Sequence, residues 1–268
     1  MAITAMHAAA TGMRAMDTQL DVIANNLANS NTVGFKSSRV NFEDLFYEER
    51  RQPGALNSLG QRSAAGLFVG HGVRVSNTQL QLHQGSLEDT GKPLDIAIQG
   101  NGFFKVKTFE GVGEGEAYTR AGNFIPDSEG NLVLGTAEGP VLEGINIPNG
   151  TDLESVTITS DGRVTGLVDN QQQEIGQIPL YRFPNAYGLR LEGSNILTET
   201  EASGAPVQGD PTEAGFGSLV QRFLEASNVD PVKELVGMIR TQRTFELNSQ
   251  TIKAADESLQ VISRLARY

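Results

Sequence analysis

The chain has 268 residues, a net charge of −11 and a pI near 4.8, and it is 38% hydrophobic and 20% charged. That apolar content excludes global disorder, and the acidity, with no basic cluster beyond Arg50-Arg51, argues against nucleic acid as a partner. The absence of cysteine excludes disulfides, thiolate nucleophiles and Cys-ligated metals, and no stretch approaches the roughly 18 consecutive apolar residues of a spanning helix, so no membrane insertion is expected.

The first residues, Met-Ala-Ile-Thr-Ala-Met-His, have neither a basic region nor a continuous apolar run, so a Sec-type signal peptide is not expected. From Met6 onward apolar residues fall at Ala9, Met13, Met16, Leu20, Ile23 and Leu27, in steps of three and four. This spacing predicts a helix from about Ile3 to Asn29, with one narrow stripe nearer to a coiled-coil seam than to a broad globular face. Asn29-Ser-Asn-Thr32 and then Gly34 supply the stop: polar side chains that compete for backbone bonds, followed by a residue tolerant of positive φ. Asn25 and Asn26 near its end have two readings, softening of the helix or amide bonds across to adjacent helices that fix register.

A short element is expected over Asn41–Tyr47. Residues 48–66, with Pro53 and several small residues and no clear period, read as an extended connection or arm. Strand signals begin at Val73. Leu94–Gln99 alternates and meets the turn cluster Gly100-Asn-Gly102, and Phe103–Val106 resumes the strand pattern. Asn123–Leu134 around Asp127-Ser-Glu-Gly130, and Val156–Thr165 around Ser160-Asp-Gly162, read as hairpins. Gln177–Phe183 is a further strand whose Pro179 favours an edge or a bulge. Short strands with Gly-bearing turns point to an antiparallel, barrel-like or sandwich-like body. Ser203–Gly217 reads as irregular. A last helix starts near Asn228, with Ser227 or Asn228 as cap and Pro231 in its first turn, and runs to about Leu265. Its stripe passes through Leu235, Met238, Phe245, Ile252, Leu259 and Ile262.

No motif in the chain argues for catalysis. His7, His71 and His83 are scattered. Gly100-Asn-Gly102 lacks the third glycine and the helix of a dinucleotide loop, and Asp127-Ser-Glu-Gly-Asn131 lacks the closing Glu of a calcium loop. There is no nucleophile elbow. The chain is read as a non-enzyme without cofactor or metal. Its candidate site is a subunit interface on the two stripes: Met13, Leu20, Ile23, Asn26, Leu27, Met238, Phe245, Ile252, Leu259 and Ile262. The competing reading packs the helices on each other or on the β body inside one monomer, as in a secreted partner-binding module with a helical stalk.

The segment Asp21–Lys36, above all Asn26-Leu-Ala-Asn29 with Asn31-Thr32 and Gly34-Phe-Lys36, closely resembles the N-terminal signature of bacterial flagellar rod and hook proteins. Leu224-Glu-Ala-Ser-Asn-Val-Asp230 with Glu234-Leu-Val, Met238-Ile, Gln242-Arg243, Glu246 and Asn248-Ser249 is similar to the C-terminal signature. Leu94–Phe104, Tyr118-Thr-Arg-Ala-Gly-Asn-Phe124 and Ser203-Gly-Ala-Pro206 match its middle. Chain length and the stretch from Phe42-Glu-Asp-Leu-Phe-Tyr47 through Arg51-Gln-Pro-Gly-Ala55 resemble a rod member rather than the longer hook protein. Two departures stand out: Arg222, where the family usually has Gly, and a short Gly135–Pro140.

The resemblance implies an α+β fold, with long N- and C-terminal helices forming a coiled-coil-like tube domain and a central antiparallel β-rich domain. The implied division is 1–45 for the N-terminal helical part, 46–90 for an arm and connecting strands, 91–220 for the β-rich domain and 221–268 for the C-terminal helix. The implied partners are further copies in a helical homopolymer, proximal rod and hook subunits, P- and L-ring proteins where the organism has them, and the flagellar type III export apparatus. The implied place is a periplasm-spanning rod, reached without a cleaved signal peptide.

Overall fold

The computed structural model describes residues 2–54, 62, 64–108, 115–137, 139–148, 150–168 and 171–265, so part of the expected 48–66 arm lies outside the described residues. The chain forms two compact units. One comprises residues 1–28, 38–79 and 230–268, and the other residues 29–37 and 80–229.

The first unit contains α1 (Ala2–Ala28), β1 (Ser38–Asp44), β2 (Tyr47–Arg51), β3 (Leu67–Gly70), β4 (Val73–Leu80) and α2 (Pro231–Leu265). Both long helices thus form where the three-and-four spacing predicts them. Asp230 rather than Ser227 or Asn228 caps α2: its Oδ1 accepts from Val232 N at 3.1 Å and Lys233 N at 3.2 Å. This cap places Pro231 at the first helical position, where no amide hydrogen is missed. The helices pack antiparallel, with Ile23 of α1 against Gly237 of α2 and Gly12 against Asn248. Among the described residues these are the only long helices, so what the single chain forms is a helix pair and not a tube.

Strands precede Val73 as well as follow it. β1 pairs with β4, and β2 pairs antiparallel with β3 from Tyr47 opposite Gly70 to Arg51 opposite Leu67. The first residues of the expected arm, 48–51, are therefore in a strand, and β3 follows directly after the arm. β4 approaches α1 at Gly72, whose φ is +112° and whose Cα has no room for a side chain: a Cβ would meet Thr11 Oγ1 at 2.1 Å.

The second unit contains β5 (Leu87–Asp89), β6 (Ile96–Gln99), β7 (Phe104–Lys107), β8 (Glu116–Thr119), β9 (Phe124–Pro126), β10 (Asn131–Leu134), β11 (Val141–Asn146), β12 (Thr157–Ile158), β13 (Arg163–Val168), β14 (Gln171–Gln177), β15 (Leu180–Arg182), β16 (Arg190–Gly193), β17 (Ile196–Thr198), β18 (Val207–Gly209), β19 (Ser218–Gln221) and β20 (Phe223–Glu225). Among the described residues its largest sheet has seven strands in the order β16-β17-β8-β7-β11-β10-β9. The smaller sheets are β12-β13-β14, β15-β18, β19-β6 and β20-β5. The hairpins β9–β10 and β12–β13 sit where the Asp-Gly and Gly-bearing turns put them. β18 corrects the irregular reading of Ser203–Gly217, and it leaves β15 an edge strand that tolerates Pro179 just before it.

Alternation accounts for the core. Ile96, Ile98, Phe104, Val106, Leu132, Leu134, Leu142 and Leu180 are all buried in one apolar cluster. A second cluster is aromatic. Tyr118 and Phe183 meet edge to face with ring centroids 4.7 Å apart, and Phe103 and Tyr181 flank them.

Arg222 adopts φ of +67°, a left-handed conformation that explains why glycine suits this position. Its amide donates to Asp95 O at 2.7 Å and its carbonyl accepts from Thr90 N at 2.9 Å, so the backbone cannot relax away. Left-handed backbone costs a non-glycine residue about 1–2 kcal/mol, partly offset because glycine loses more freedom on folding. Arg222→Gly is expected to stabilise the folded chain by about 0.5–1 kcal/mol in denaturant unfolding.

Candidate functional site

The α1–α2 contact does not run along the apolar stripes alone. On α2 the buried line is Thr241 and Ala255, with the half-buried Glu234 and Asn248 on the same row at a spacing of seven. On α1 it is Ala9, Gly12, Ala15, Ile23 and Asn26. Apart from Ile23 these are small or polar residues, and the backbones approach closely at Gly12, where a Cβ would come 2.9 Å from Asn248 Nδ2. Of the ten candidate interface residues, Ile23 and Asn26 are buried in this seam. Met13, Leu20, Leu27, Met238, Ile252 and Leu259 are half-buried along its margins. Phe245 is at the exposed limit and Ile262 is 59% exposed.

Asn26 is held entirely by its own chain. Its Nδ2 donates to Ser38 O at 2.9 Å and to Glu234 Oε1 at 3.3 Å, and its Oδ1 accepts from Ser38 N at 2.9 Å. The amide does bond across to an adjacent helix, and it also fixes where β1 begins. Burial raises the Glu234 carboxyl above its usual range, and the Asn26 hydrogen bond partly opposes this.

The apolar side chains of α2 that the stripe did not include face outward. Val232, Val236, Ile239, Leu247, Val261 and Leu265 are all exposed, as are Leu235 and Ile262 within it. Most of the helix's large hydrophobic surface is thus uncovered in the single chain, far more than scattered surface apolar residues require. A helix seamed by Thr, Asn and Ala is marginal on its own.

The second unit holds a buried ion triad. Glu225 is fully buried at the end of β20. Its Oε1 accepts from Lys36 Nζ and from Gly85 N at 3.0 Å. Its Oε2 lies 3.2 Å from Arg120 Nε, an ion-pair contact without hydrogen-bond alignment. Both cations also bond to backbone carbonyls. Lys36 Nζ reaches His83 O at 2.9 Å, and Arg120 donates to Gly102 O at 2.9 Å and Gly100 O at 2.8 Å. Burial lowers the Lys36 and Arg120 proton affinities, and Glu225 pulls both back up.

Around the triad the backbone is equally tight. Gly34 N donates to Glu225 O at 2.7 Å, and a Cβ on Gly34, whose φ is +69°, would meet Ala121 N at 2.7 Å. Asn228 donates from Nδ2 to Gln81 O and His83 O and accepts from Ser37 N. Lys36, Arg120 and Glu225 belong to three separate signature segments, 21–36, 118–124 and 224–230. Sequence reading gave them no role, because nothing in one chain's order says that positions so far apart share a carboxylate.

Among the described residues no cluster of His, Asp and Glu could hold a metal, and no helix is long and apolar enough to cross a membrane.

Comparison with known proteins agrees with this architecture. Residues 6–36 match the family profile described as flagella basal body rod protein, residues 97–166 the flagellar hook protein FlgE/F/G D1 domain, and residues 220–265 the flagellar basal body rod FlgEFG protein C-terminal. The flagellar basal-body rod protein FlgG of Agrobacterium fabrum is 42% identical over 97% of this chain and 98% of its own length. That of Bacillus subtilis is 39% identical over 99% and 100%. The flagellar basal-body rod protein FlgF of Mesorhizobium japonicum is 33% identical over 96% and 97%.

Removing one partner of a buried ion pair leaves the other charge uncompensated, at about 3–5 kcal/mol. Glu225→Gln, which strands two cations, is expected to lower the denaturant stability of the β-rich unit by about 3 kcal/mol. Urea unfolding followed through the tyrosines, most of which lie in that unit, measures this; an unchanged midpoint contradicts it.

Proposed function

The chain belongs to the flagellar basal-body rod protein family, and we propose that it builds the distal part of the rod. It is a structural subunit. In this reading many copies polymerise into a straight hollow shaft that crosses the periplasm and passes torque from motor to hook. The subunit meets proximal rod below and hook above, with P- and L-ring proteins around it where the organism has them, and leaves the cell body unfolded through the flagellar type III export apparatus. The observation that carries the distal assignment is the near full-length identity of 42% with a protein named FlgG, against 33% with one named FlgF. The FlgF match keeps a paralogous rod position as the second reading.

The helix surfaces support polymerisation. An open helical polymer needs heterologous contacts, one patch on each subunit meeting a different patch on the next. We assign one such set to the uncovered face of α2, with the exposed Phe245 and Ile262, together with the half-buried margins at Met13, Leu20, Leu27, Met238, Ile252 and Leu259, with Ile23 and Asn26 positioning the helix pair beneath. In the tube, neighbouring helices bury what the single chain leaves in water, and the outer β-rich unit faces away from the channel. The β2–β3 hairpin at the ends of the 48–66 arm, with Leu67 and Phe68 about half exposed, lies between neighbouring copies and stiffens the shaft.

Two measurements test this. Electron microscopy of basal bodies from a strain lacking the chain is expected to show rods that stop at the proximal segment and carry no hook. An intact rod missing only its hook, or no defect, removes the distal assignment. Ile239 is 52% exposed, so Ile239→Glu is expected to change monomer stability by no more than about 0.5 kcal/mol. It should nevertheless abolish swimming, because the charge is buried unpaired on assembly. Normal motility of that variant rules out the α2 face as an interface.

A further inference from the structure

One concavity in the β-rich unit has a chemistry that the rest of this acidic chain lacks. A cavity of about 310 Å³ is lined by Lys36, Arg120 and Arg182 together with the rings of Phe103, Phe183 and Tyr187, and no carboxylate lines it. Lys36 and Arg120 share the single charge of Glu225 behind them. Arg182 makes no ion pair among the described residues. It donates to Gly215 O at 3.1 Å and lies 5.5 Å from the Phe216 ring. Three cations against one carboxylate leave the socket with an excess of two positive charges, on a chain whose net charge is −11. Its walls are aromatic, its cations Lys36 and Arg120 are buried behind them and Arg182 is exposed at the mouth, so what fits it is an aromatic side chain flanked by carboxylates.

The chain itself presents such a group. Phe46, between β1 and β2, is 91% exposed, more than any other large hydrophobic among the described residues. Its backbone is fixed on both sides. Leu45 N donates to Gly72 O at 2.9 Å, and Phe46 O accepts from His71 N at 3.0 Å, with His71 Nδ1 also 3.0 Å away. A ring held in water on a clamped backbone has its ordering cost met in advance, as a preorganised ligand does. Beside it in the chain lie Glu43 and Glu48, paired with Arg74 and Arg50, and Asp44 and Glu49, which have no ion pair among the described residues.

We propose that the socket lined by Lys36, Arg120 and Arg182 receives the Phe46 corner of a second copy of this chain, ring inward and carboxylates against the cations. The inference rests on the reading of the chain as a self-polymerising rod subunit, and it identifies where the arm of one subunit lands on the next. Phe46 meets the aromatic walls, and Asp44 and Glu49, which have no ion pair among the described residues, meet Arg182, the exposed cation of the socket. The contact is heterologous, knob on one copy and socket on another, as an open polymer requires.

The chain has no cysteine, so introduced thiols are the only ones. Tyr47, beside the knob, and Tyr187, on the socket wall, are each 57% exposed. A strain lacking the native copy expresses Tyr47→Cys and Tyr187→Cys chains together, and its isolated basal bodies are oxidised. The expected result is a disulfide-linked heterodimer at least about tenfold more abundant than with Tyr47→Cys and Leu191→Cys, a control site as exposed but outside the socket, because held proximity raises effective concentration. Adding Arg182→Glu to the Tyr187→Cys chain is expected to reduce that product severalfold. Rods that contain the chain but link equally to the control, or not at all, overturn the socket and leave the polymer standing. A link forming inside single chains that carry both cysteines also overturns it, since the knob then serves its own socket. Rods that lack the chain remove the polymer reading and the socket with it.

Discussion

The carboxylate of Glu225 is the fixed point of the β-rich unit. An ionised group with no solvent exposure is tolerable only if opposite charges and hydrogen bonds replace its water, and here the replacements come from three distant stretches of chain. Lys36 arrives from the segment after α1, Arg120 from the turn after β8, and the Gly85 amide from the approach to β5. Each can reach Glu225 only if its backbone passes close by, which is why Gly34 and Gly85 sit where a Cβ would strike Ala121 N and Ala226 O. An apolar trio of similar volume would fill the same space at no necessary loss of stability. It would not demand one register among three segments, as a shared carboxylate does. Two segments that flank the helices in sequence, residues 29–37 and 224–229, are thereby built into the β-rich unit rather than into the helical one.

The helical unit follows the opposite logic. Its internal seam is made of Ala, Gly, Thr and Asn, residues that permit close backbone approach and contribute little burial each, while Val232, Leu235, Ile239, Leu247 and Val261 face water. Burying one such side chain is worth about 1.5–3 kcal/mol, so the larger share of hydrophobic stabilisation available to α2 is withheld until another surface covers it. In the proposed polymer, this uncovered apolar surface is what favours association. The β-rich unit, with its own core of Ile96, Phe104, Leu132 and Leu180, does not depend on that step.

Sequence periodicity made the helices legible to within about three residues, because a 3.6-residue repeat leaves a readable stripe. The hairpins at β9–β10 and β12–β13 were legible through their turn residues. Other strands were not. β14 reads Gln-Gln-Gln-Glu-Ile-Gly-Gln and has no strand propensity to display; it is a strand because β13 offers it a ladder from Arg163 to Val168. β18 is three residues long, below what alternation can register. The stripe on α2 located apolar residues correctly yet did not say which row is buried, since the row that meets α1 runs through Thr241, Asn248 and Ala255. The ion triad was invisible for a deeper reason. Lys36, Arg120 and Glu225 look like surface charges one at a time, and only the fold makes them partners.

The two proposed contact surfaces differ in what they can specify. The α2 face is apolar, and hydrophobic attraction is non-directional and nearly independent of salt; it holds subunits together without choosing sharply among small slides along a helix. The Phe46 knob and its cationic socket bury little area but combine one ring position with charge, and charge complementarity fixes register more than it adds affinity. A shaft that must stay straight under torque needs both, cohesion from the helices and a discrete position from the outer contact. The same division explains why the socket is basic on an acidic protein. Subunits of charge −11 repel one another at long range, and the repulsion is locally reversed only where an acidic corner meets Arg182. Misaligned subunits keep the repulsion and lack the compensation, so the net charge that opposes assembly in general also penalises every register but one.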